Sequence, residues 1–232
     1  DSQQARISPP TTGPSVAVAS NCCMMRLARL SGSAKNLTGP DSCRTAHPDA
    51  KRPRPDQHHG LLPAMKTLLL LRHAKSSWSE GVASDHDRPL NGRGERAAPL
   101  MGRLIRHHKL VPDIVVSSSA RRAHRTADLV ADACGFENDI LTTADLYHAS
   151  TAEWLSVVSE LPDETDRALL VGHNPGIEEM ILLLGGEHHR MSTAALAQLV
   201  LPIENWFDVT LIPRADLVEL WRPRDVEAEG MA

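Results

Sequence analysis

The sequence predicts an α/β domain: a three-layer αβα sandwich with a mostly parallel central sheet and helices on both faces. Short apolar runs, typical of strands buried on both faces, alternate with stretches of helical periodicity. Arginine and histidine side chains follow several of these runs, at the point where a strand would end. Ligands of parallel sheets bind beyond the carboxyl ends of the strands, so we expect a site there. The alternation by itself does not choose a function.

The chain of 232 residues divides into two parts that differ in composition. Residues 1–64 hold 8 of the 16 prolines and none of the Phe, Trp or Tyr side chains. They carry eight Lys and Arg against four Asp, a net charge of +4; because the whole chain is at −4, residues 65–232 are at −8. A proline-rich segment without aromatic side chains buries too little apolar surface to offset its ordering entropy. We therefore predict that 1–64 are disordered and that 65–232 form a single globular domain.

The residues around position 65 bear on where the natural protein starts. Met65-Lys66 directly precedes the first predicted strand, which favours a natural start at Met65 with an upstream extension; a targeting tail is the alternative. The longest apolar stretch of 1–64, residues 16–19, is far too short for a signal-peptide core or a membrane span. We expect a soluble cytoplasmic protein with no membrane association.

Composition also limits the cofactors and partners. Three of the four cysteines, Cys22, Cys23 and Cys43, lie in 1–64, and their spacing with the nearby histidines fits no closed tetrahedral zinc pattern. We therefore predict no metal and no other cofactor. A net charge of −8 on residues 65–232 argues against nucleic acid as a partner. The oligomeric state cannot be read from the sequence.

The first half of the domain contains two predicted strand–helix pairs. Residues 67–71 and 112–116 are the apolar runs that predict strands. The first helix has an apolar stripe at helical spacing, formed by Ala97, Leu100, Met101, Leu104 and Ile105. The second has a similar face, formed by Ala123, Ala127, Val130, Ala131 and Cys134. Pro99 should kink the first helix or lie in its first turn.

The second half of the domain continues the alternation. Residues 140–146 predict a short strand, Ser150 and Glu153 form a capping box that opens an amphipathic helix, and 167–171 are a further apolar strand. A helix then opens with Asn174 as N-cap and Pro175 at the first helical position. Gly185-Gly186 should end it. Two late strands are predicted at 195–201 and 217–221.

Three segments at predicted strand ends could hold an anion: Arg72-His73, Arg121-Arg122 and Gly172-His173-Asn174. A single histidine at a strand end is usually a surface or hydrogen-bonded side chain, and an arginine at a helix start is usually solvated. Three such segments at equivalent strand ends are better explained by a shared site. Helix N-termini add partial positive charge and free N–H groups, which favours a bound phosphate.

These segments resemble the motifs of the histidine phosphatase superfamily, which includes the phosphoglycerate mutases. Leu71-Arg72-His73 is similar to its signature, and Val171 to Gly176 is similar to the segment that holds its second histidine. The run from Ser118 to Ala127 matches its Arg-Ala-x-x-Thr-Ala motif, and that register makes Arg122, not Arg121 or Arg125, the phosphate-binding arginine. The loop Asp87-Arg88-Pro89-Leu90, followed by Gly92 and Gly94, also matches. The resemblance spans Met65 to Trp221.

Within the superfamily, the chain resembles the short phosphohistidine phosphatase branch (SixA-type). Arg-His-Ala-Lys-Ser at 72–76, the segment 146–150 and the absence of large insertions carry this resemblance. Ala74 departs from the superfamily, most members of which have Gly there. A methyl group should be tolerated at Ala74 if the backbone φ is negative.

The resemblance implies that His73, Arg72, Arg122 and His173 are catalytic. His73 would attack phosphorus as a neutral imidazole, and the like charge of the arginines disfavours its protonation. The arginines and His173 would hold the phosphoryl oxygens, in the role that Mg²⁺ plays in other enzymes, so no metal is required. Three further residues, Lys75, Ser76 and Asn174, are predicted to contact substrate.

The leaving group separates the functions that this site could serve. Ester-cleaving members protonate an alkoxide with a Glu or Asp that follows the second helix, and the matching stretch here has no such Glu. A phosphohistidine, with its better leaving group, is therefore the favoured substrate, and a phosphohistidine-containing protein is one candidate. Asp145, His148 and Glu153 are alternative acids. A phosphomonoesterase or mutase acting on small metabolites is the second hypothesis, and a non-catalytic phosphate-binding module is the third.

Overall fold

The structure is a computed structural model that describes residues 65–78, 82–211, 214–228 and 230. The disorder predicted for 1–64 therefore lies outside the described residues, and the division at Met65 stays a prediction. Within the described part, the strands are β1 (Lys66–Arg72), β2 (Ile114–Ser118), β3 (Leu141–Thr143), β4 (Arg167–Gly172), β5 (Leu196–Leu201) and β6 (Asp216–Trp221). The helices are α1 (Gly92–His107), α2 (Arg121–Cys134), α3 (Thr151–Ser159), α4 (Gly176–Gly185) and α5 (Pro223–Ala228), with a 3₁₀ helix at Trp206–Thr210.

The strands form one sheet in the order β3-β2-β4-β1-β5-β6. Strands β3, β2, β4 and β1 are mutually parallel, whereas β5 runs antiparallel to β1 and pairs with β6 in the same antiparallel manner. The predicted α/β fold with a mostly parallel sheet is confirmed. The four parallel strands bring the ends of β1, β2 and β4 to one edge, where the predicted site residues follow.

Alternate residues of the central strands face opposite layers of the sandwich. Leu69 and Leu71 pack with α1 and α2, while Leu68 and Leu70 pack with α3 and α4 on the other face. All four leucines are fully buried. An unbroken apolar run is therefore what a central strand covered on both faces requires, as the sequence indicated.

Two predicted strands have different bounds in the structure. Strand β2 starts two residues later than predicted and continues through Ser118, because Ser117 and Ser118 pair with β3. The strand predicted at 140–146 is limited to Leu141–Thr143, because the chain turns after it, with Tyr147 N donating to Ala144 O. Both differences matter for function, since they place Ser118 and Tyr147 at the carboxyl edge of the sheet.

The starts of two helices also differ from the prediction. Helix α1 begins at Gly92, where Asn91 Oδ1 accepts hydrogen bonds from the N–H groups of Arg93 and Gly94, so Pro99 lies well inside the helix rather than in its first turn. Helix α4 begins at Gly176 with Pro175 as N-cap, so Asn174 does not cap it. No helix in the described part of the chain is long and apolar enough to cross a membrane.

Candidate active site

The end of β1 delivers Arg72 and His73 to the carboxyl edge of the sheet. Arg72 lies opposite Gly172 of β4, and the His73 N–H donates to the carbonyl of Gly172 at 3.0 Å. The backbone after His73 is fixed by α2, since Ala74 N–H donates to Thr126 Oγ1 at 3.0 Å. Ala74 is not among the described non-glycine residues with positive φ, so its methyl group is tolerated. The first motif is thus locked to the other two by backbone hydrogen bonds.

The His73 imidazole presents an unprotonated nitrogen to the pocket. Its Nδ1 lies 2.8 Å from the carbonyl of Ala74, which can only accept, so the ring proton is on Nδ1. Its Nε2 then accepts from Arg122 Nε at 3.3 Å. Burial, followed by the positive charges of Arg122, Arg72 and Arg88, lowers the pKa of His73 to about 4, although the bond to Ala74 opposes this. A neutral ring whose Nε2 carries no proton is the form that can attack phosphorus.

Arg122 contacts both histidines of the pocket. It lies in the first turn of α2 and is 4% exposed, whereas Arg121 beside it is exposed to solvent. Besides Nε on His73, its NH2 lies 3.3 Å from Nδ1 of His173. The sequence register that selected Arg122 over its neighbours therefore agrees with the placement of the side chains.

His173, at the end of β4, completes the imidazole pair. Its ring centroid is 4.9 Å from that of His73. Because Arg122 donates to its Nδ1, the proton lies on Nε2, which donates to Ser118 Oγ at 2.9 Å. Burial, the neighbouring His73 and the charge of Arg122 lower the pKa of His173 well below its ordinary value. His173 is therefore neutral at neutral pH.

A carboxylate that sequence reasoning missed, Asp85, lies against Arg122. Its carbonyl accepts from Arg122 NH1 at 2.6 Å, and its Oδ2 accepts from Arg122 NH2 at 3.0 Å. Its Oδ1 accepts from Arg88 at 2.8 Å, and its Oδ2 accepts from the Tyr147 hydroxyl at 3.1 Å. The bond from Arg88, with the charge of Arg122 and further hydrogen bonds, holds the pKa of Asp85 well below its ordinary value, although partial burial opposes this.

The acids considered from sequence differ in where they lie. Asp145 is exposed and bonded to the Thr143 hydroxyl, and Glu153 is held in the capping box with Ser150. Only His148 reaches the pocket, where its Nε2 is 3.7 Å from Asp85 Oδ2 and its ring stacks 6.2 Å from that of His173. The turn after β3 brings His148 there.

The predicted substrate-contacting residues have mixed placements. Lys75 is exposed next to the pocket. The Ser76 hydroxyl is buried and accepts from Arg88 NH2 at 2.9 Å, which positions Arg88. The Asn174 amide donates to Glu178 Oε1 at 2.6 Å and to the carbonyl of Met191 at 3.1 Å, so its NH₂ is engaged with the protein. Substrate contact by Ser76 or Asn174 stays a prediction.

Trp154 of α3 packs against the glycines on both sides of His173. This tryptophan is fully buried, and its indole packs against both Gly172 and Gly176. A Cβ at Gly172 would lie 2.6 Å from indole Cζ2, and a Cβ at Gly176 would lie 2.5 Å from indole Nε1. Glycine is needed at both positions because the indole and the backbone approach so closely.

Gly172→Ala is expected to lower the free energy of unfolding by about 1–3 kcal/mol, because the added methyl group overlaps the buried indole of Trp154. Urea unfolding would measure the loss. Gly92→Ala is the matched control: its Cβ would meet only Arg96 NH1, at 3.6 Å, in the first turn of α1. This control should be neutral or slightly stabilising. Equal losses in both variants would contradict the role given to Trp154.

The neutral histidines predict a loss of stability in mild acid. The pKa of His73 falls from 6.5 to about 4 on folding, so between these values the unfolded chain binds the extra proton. The free energy of unfolding should therefore fall as the pH drops from 6.5 towards 4, by up to ~1.4 kcal/mol per pH unit for His73. Urea unfolding against pH measures this slope. His73→Gln should reduce the slope of the free energy of unfolding against pH. His124 lies on the outer part of α2, and His124→Gln should keep this slope.

The described part of the chain contains no group of three or more His, Cys, Asp or Glu side chains arranged to hold a metal ion. The charge in the pocket comes instead from Arg122, with Arg72 and Arg88 beside it. The fold and the site together place the protein in a class of α/β proteins. Proteins of this class bind an anion at the carboxyl edge of a parallel sheet with histidine and arginine side chains.

Comparison with known proteins identifies the family within this class. A model of the histidine phosphatase superfamily (branch 1) matches residues 68–168. The chain belongs to this superfamily and is a phosphatase. An uncharacterised chloroplastic protein of Arabidopsis thaliana is 34% identical over 145 residues, which cover 57% of this chain and 66% of that protein. This chain therefore spans about two thirds of that relative.

Two solved structures resemble the described fold over most of their length. One is from Nakamurella multipartitia, with a TM-score of 0.60 and 28% identity over 68% of this chain and 96% of that one. The other is from Agrobacterium tumefaciens, with a TM-score of 0.59 and 28% identity over 68% of this chain and 98% of that one. Each is described as a "putative phosphohistidine phosphatase SixA". The chain is thus similar to the SixA-type branch.

Proposed function

We propose that this protein is a phosphohistidine phosphatase that removes the phosphoryl group through a covalent phosphohistidine on His73. A phosphohistidine-containing protein is the substrate that we favour. The similarity to two proteins described as SixA supports the proposal. The cytoplasmic location is part of the same proposal.

In the first step, Nε2 of His73 forms a bond to phosphorus while the P–N bond of the substrate breaks. The substrate imidazole leaves with the electron pair of that bond and is protonated by water. Arg122 and Arg72 supply donors to the non-bridging oxygens, and His173 adds a further donor once it turns an N–H towards them. Each such donor is typically worth ~10²–10³ in rate.

In the second step, water attacks phosphorus and the bond to His73 Nε2 breaks. The products are inorganic phosphate and the free imidazole, which regains its neutral Nδ1–H form through the bond to Ala74. The low pKa of His73, at about 4, suits both steps, because the ring is neutral at neutral pH before attack and after release.

The observation that carries the choice of substrate is the state of Asp85. It is held by Arg88, Arg122 and Tyr147 and its pKa is lowered, so it is ionised at neutral pH and has no proton to give to an alkoxide. A phosphate ester needs that proton in the transition state. A phosphohistidine needs less help, because imidazole is a much better leaving group than an alkoxide.

A substrate panel tests the proposal. The protein is incubated with a phosphohistidine peptide, phosphoserine, sugar phosphates and phosphoglycerate, and phosphate release is measured. Quenching in alkali during turnover should trap an acid-labile phosphoryl group on His73, seen by mass spectrometry. Turnover of small esters with none of the phosphohistidine peptide would favour the phosphomonoesterase or mutase. Tight binding without any turnover would favour a phosphate-binding module.

A further inference from the structure

A groove lined by cationic side chains lies beside the phosphoryl pocket. It has a volume of about 620 Å³. We call it the basic groove and define it by its lining residues, which are Arg72, Lys75, Arg190, Met191, Ser192, Thr193, Arg222 and Arg224. A smaller adjoining cavity shares Lys75, Arg222 and Arg224 and adds Arg93 and Glu227.

The charge of the basic groove is opposite to that of the rest of residues 65–232. That part of the chain has a net charge of −8, yet five of its 17 Lys and Arg side chains line this one groove. None of the eight described lining residues is acidic. A concentration of one sign on a protein of the other sign attracts anions to that place alone.

Arg72 connects the basic groove to the phosphoryl pocket. It is the last residue of β1, directly before His73, and it also lines the groove, where its NH1 donates to the carbonyl of Met191 at 2.7 Å. Burial lowers the pKa of Arg72, Glu178 raises it and the charge of Arg190 lowers it, which places Arg190 within electrostatic reach. Arg72 therefore belongs both to the basic groove and to the strand end that carries His73.

The wall of the groove at 190–193 is rigidly held. Asn174 donates to the carbonyl of Met191, and Glu178 Oε1 accepts from the Met191 N–H at 2.8 Å. The Ala194 N–H donates to the carbonyls of Arg72 and His73 at 3.1 and 3.2 Å. The polar side chains of the His173 segment thus serve to fix this wall against the pocket, which accounts for the engaged amide of Asn174.

The groove also contains a buried donor without a protein partner. Arg72 Nε has no hydrogen-bond partner among the described residues. The hydroxyl groups of Ser192 and Thr193 line the same space. A planar guanidinium donates to carboxylate and phosphate oxygens alike, so Arg72 can serve the end of the groove that adjoins the phosphoryl pocket.

We propose that the basic groove binds acidic side chains that flank the phosphohistidine of a protein substrate. This inference rests on the proposed function and adds a substrate class to it: phosphohistidine within an acidic segment. The groove orients the segment so that the phosphoryl group faces His73.

The spread of the cations favours an extended acidic segment over a single compact anion. The positive side chains come from three separate parts of the chain, at Lys75, at Arg190 and at 222–224. A groove of about 620 Å³ has more room than one phosphate fills, whereas successive carboxylates of an extended peptide can occupy it. Each exposed ion pair contributes little, so the preference must come from several pairs acting together.

The test compares two phosphohistidine peptides of equal length, one with aspartates and one with asparagines around the phosphohistidine. The wild type is expected to prefer the acidic peptide by about tenfold or more in kcat/KM at low ionic strength, and the preference should shrink as salt is added. Arg222→Glu/Arg224→Glu should abolish or reverse it. Arg224 lies in the first turn of α5, where a glutamate is compatible with the helix, so folding should persist.

A matched double variant controls for total charge. Arg106→Glu/Lys109→Glu makes the same change at exposed positions in the last turn of α1 and just beyond it. Helix α1 starts next to Lys75 and is about 24 Å long, so these positions are remote from the groove. The control should keep the preference of the wild type.

Each other outcome counts against the inference. If the wild type turns over both peptides equally, the inference about the basic groove is wrong and the proposed function stands. If it turns over neither peptide, both the inference and the proposed function are wrong. Loss of the preference in the control variant would assign it to total charge. A bisphosphorylated sugar and its monophosphate are assayed in parallel; an effect of the groove variant confined to that pair would show that the groove binds a second phosphate instead of acidic side chains.

Discussion

His73→Ala is expected to abolish the phosphoenzyme and to lower kcat for a phosphohistidine peptide by at least ~10⁴-fold, as loss of a nucleophile does in other covalent mechanisms. The physical reason is that Nε2 of His73 is the neutral lone pair that the pocket holds beside Arg122. Stopped assays with alkaline quench measure both quantities.

His124→Ala is the matched control for this variant. His124 also lies on an element of the site, α2, but its Nδ1 faces Asp128 at 3.3 Å and its side chain is 45% exposed. It should retain the phosphoenzyme and nearly all of the turnover. A phosphoenzyme of wild-type yield in His73→Ala would rule out the mechanism and redirect attention to the other histidines of the pocket.

Arg122→Ala is expected to lower kcat/KM by about 10³-fold, since an arginine on the phosphoryl oxygens supplies an effect of this size in other phosphoryl-transfer sites. Its guanidinium contacts His73, His173 and Asp85 at once, so no other side chain of the pocket is placed to substitute for it. Steady-state kinetics with the phosphohistidine peptide measure the loss.

The pH profile separates an electrostatic role of Arg122 from a structural one. The charge of Arg122 lowers the pKa of His73, so its removal should raise that pKa and move the acid limb of kcat/KM to higher pH. Arg121→Ala removes the adjacent, exposed arginine and keeps the backbone bond from Arg121 N to His86 O. Arg121→Ala should change neither kcat/KM at neutral pH nor the pH at which kcat/KM falls in acid. An unmoved limb in Arg122→Ala would contradict the stated cause of the low His73 pKa.

Much of the fold was predictable because the central strands have unbroken apolar sequences. Residues 67–71 and 167–171 lie within β1 and β4, and the late strands at 195–201 and 217–221 also match closely. The placement of His73, Arg122 and His173 at one edge followed from parallel strands. Sequence reasoning could not set the end of β2, because Ser118 belongs to the strand only through its pairing with β3, while Ser117 pairs with both β3 and β4.

Asp85 shows why the rest of the site was missed. The sequence placed it in a polar loop, and a loop carries no periodicity that would indicate where its side chains point. The available signal was the neighbouring motif with Arg88, which matches the family, but the sequence predicted no contact for Arg88. The acids predicted instead were Asp145, His148 and Glu153. The structure uses Asp145 in a turn and Glu153 in a capping box, whereas His148 lies beside Asp85.

Asn174 was misplaced for a different reason. Asn before Pro at the start of an apolar stripe is a common N-cap pattern, but local preference competes with tertiary contacts. Here the Asn174 amide instead joins Glu178 to Met191, and Pro175 takes the cap position. The partners that decide this lie 4 and 17 residues away, and a local motif does not contain them.

The contact between Asp85 and Arg122 means that the chain carries its own competitor for the phosphoryl site. The Asp85 carboxylate is tethered beside the guanidinium, so it acts at a high effective concentration and keeps the pocket closed to free carboxylates. For the proposed function, we expect a phosphoryl dianion, with more charge and three oxygens, to displace it more readily than a single carboxylate does. The same competition speeds the departure of inorganic phosphate, because Asp85 returns to Arg122 as the product leaves.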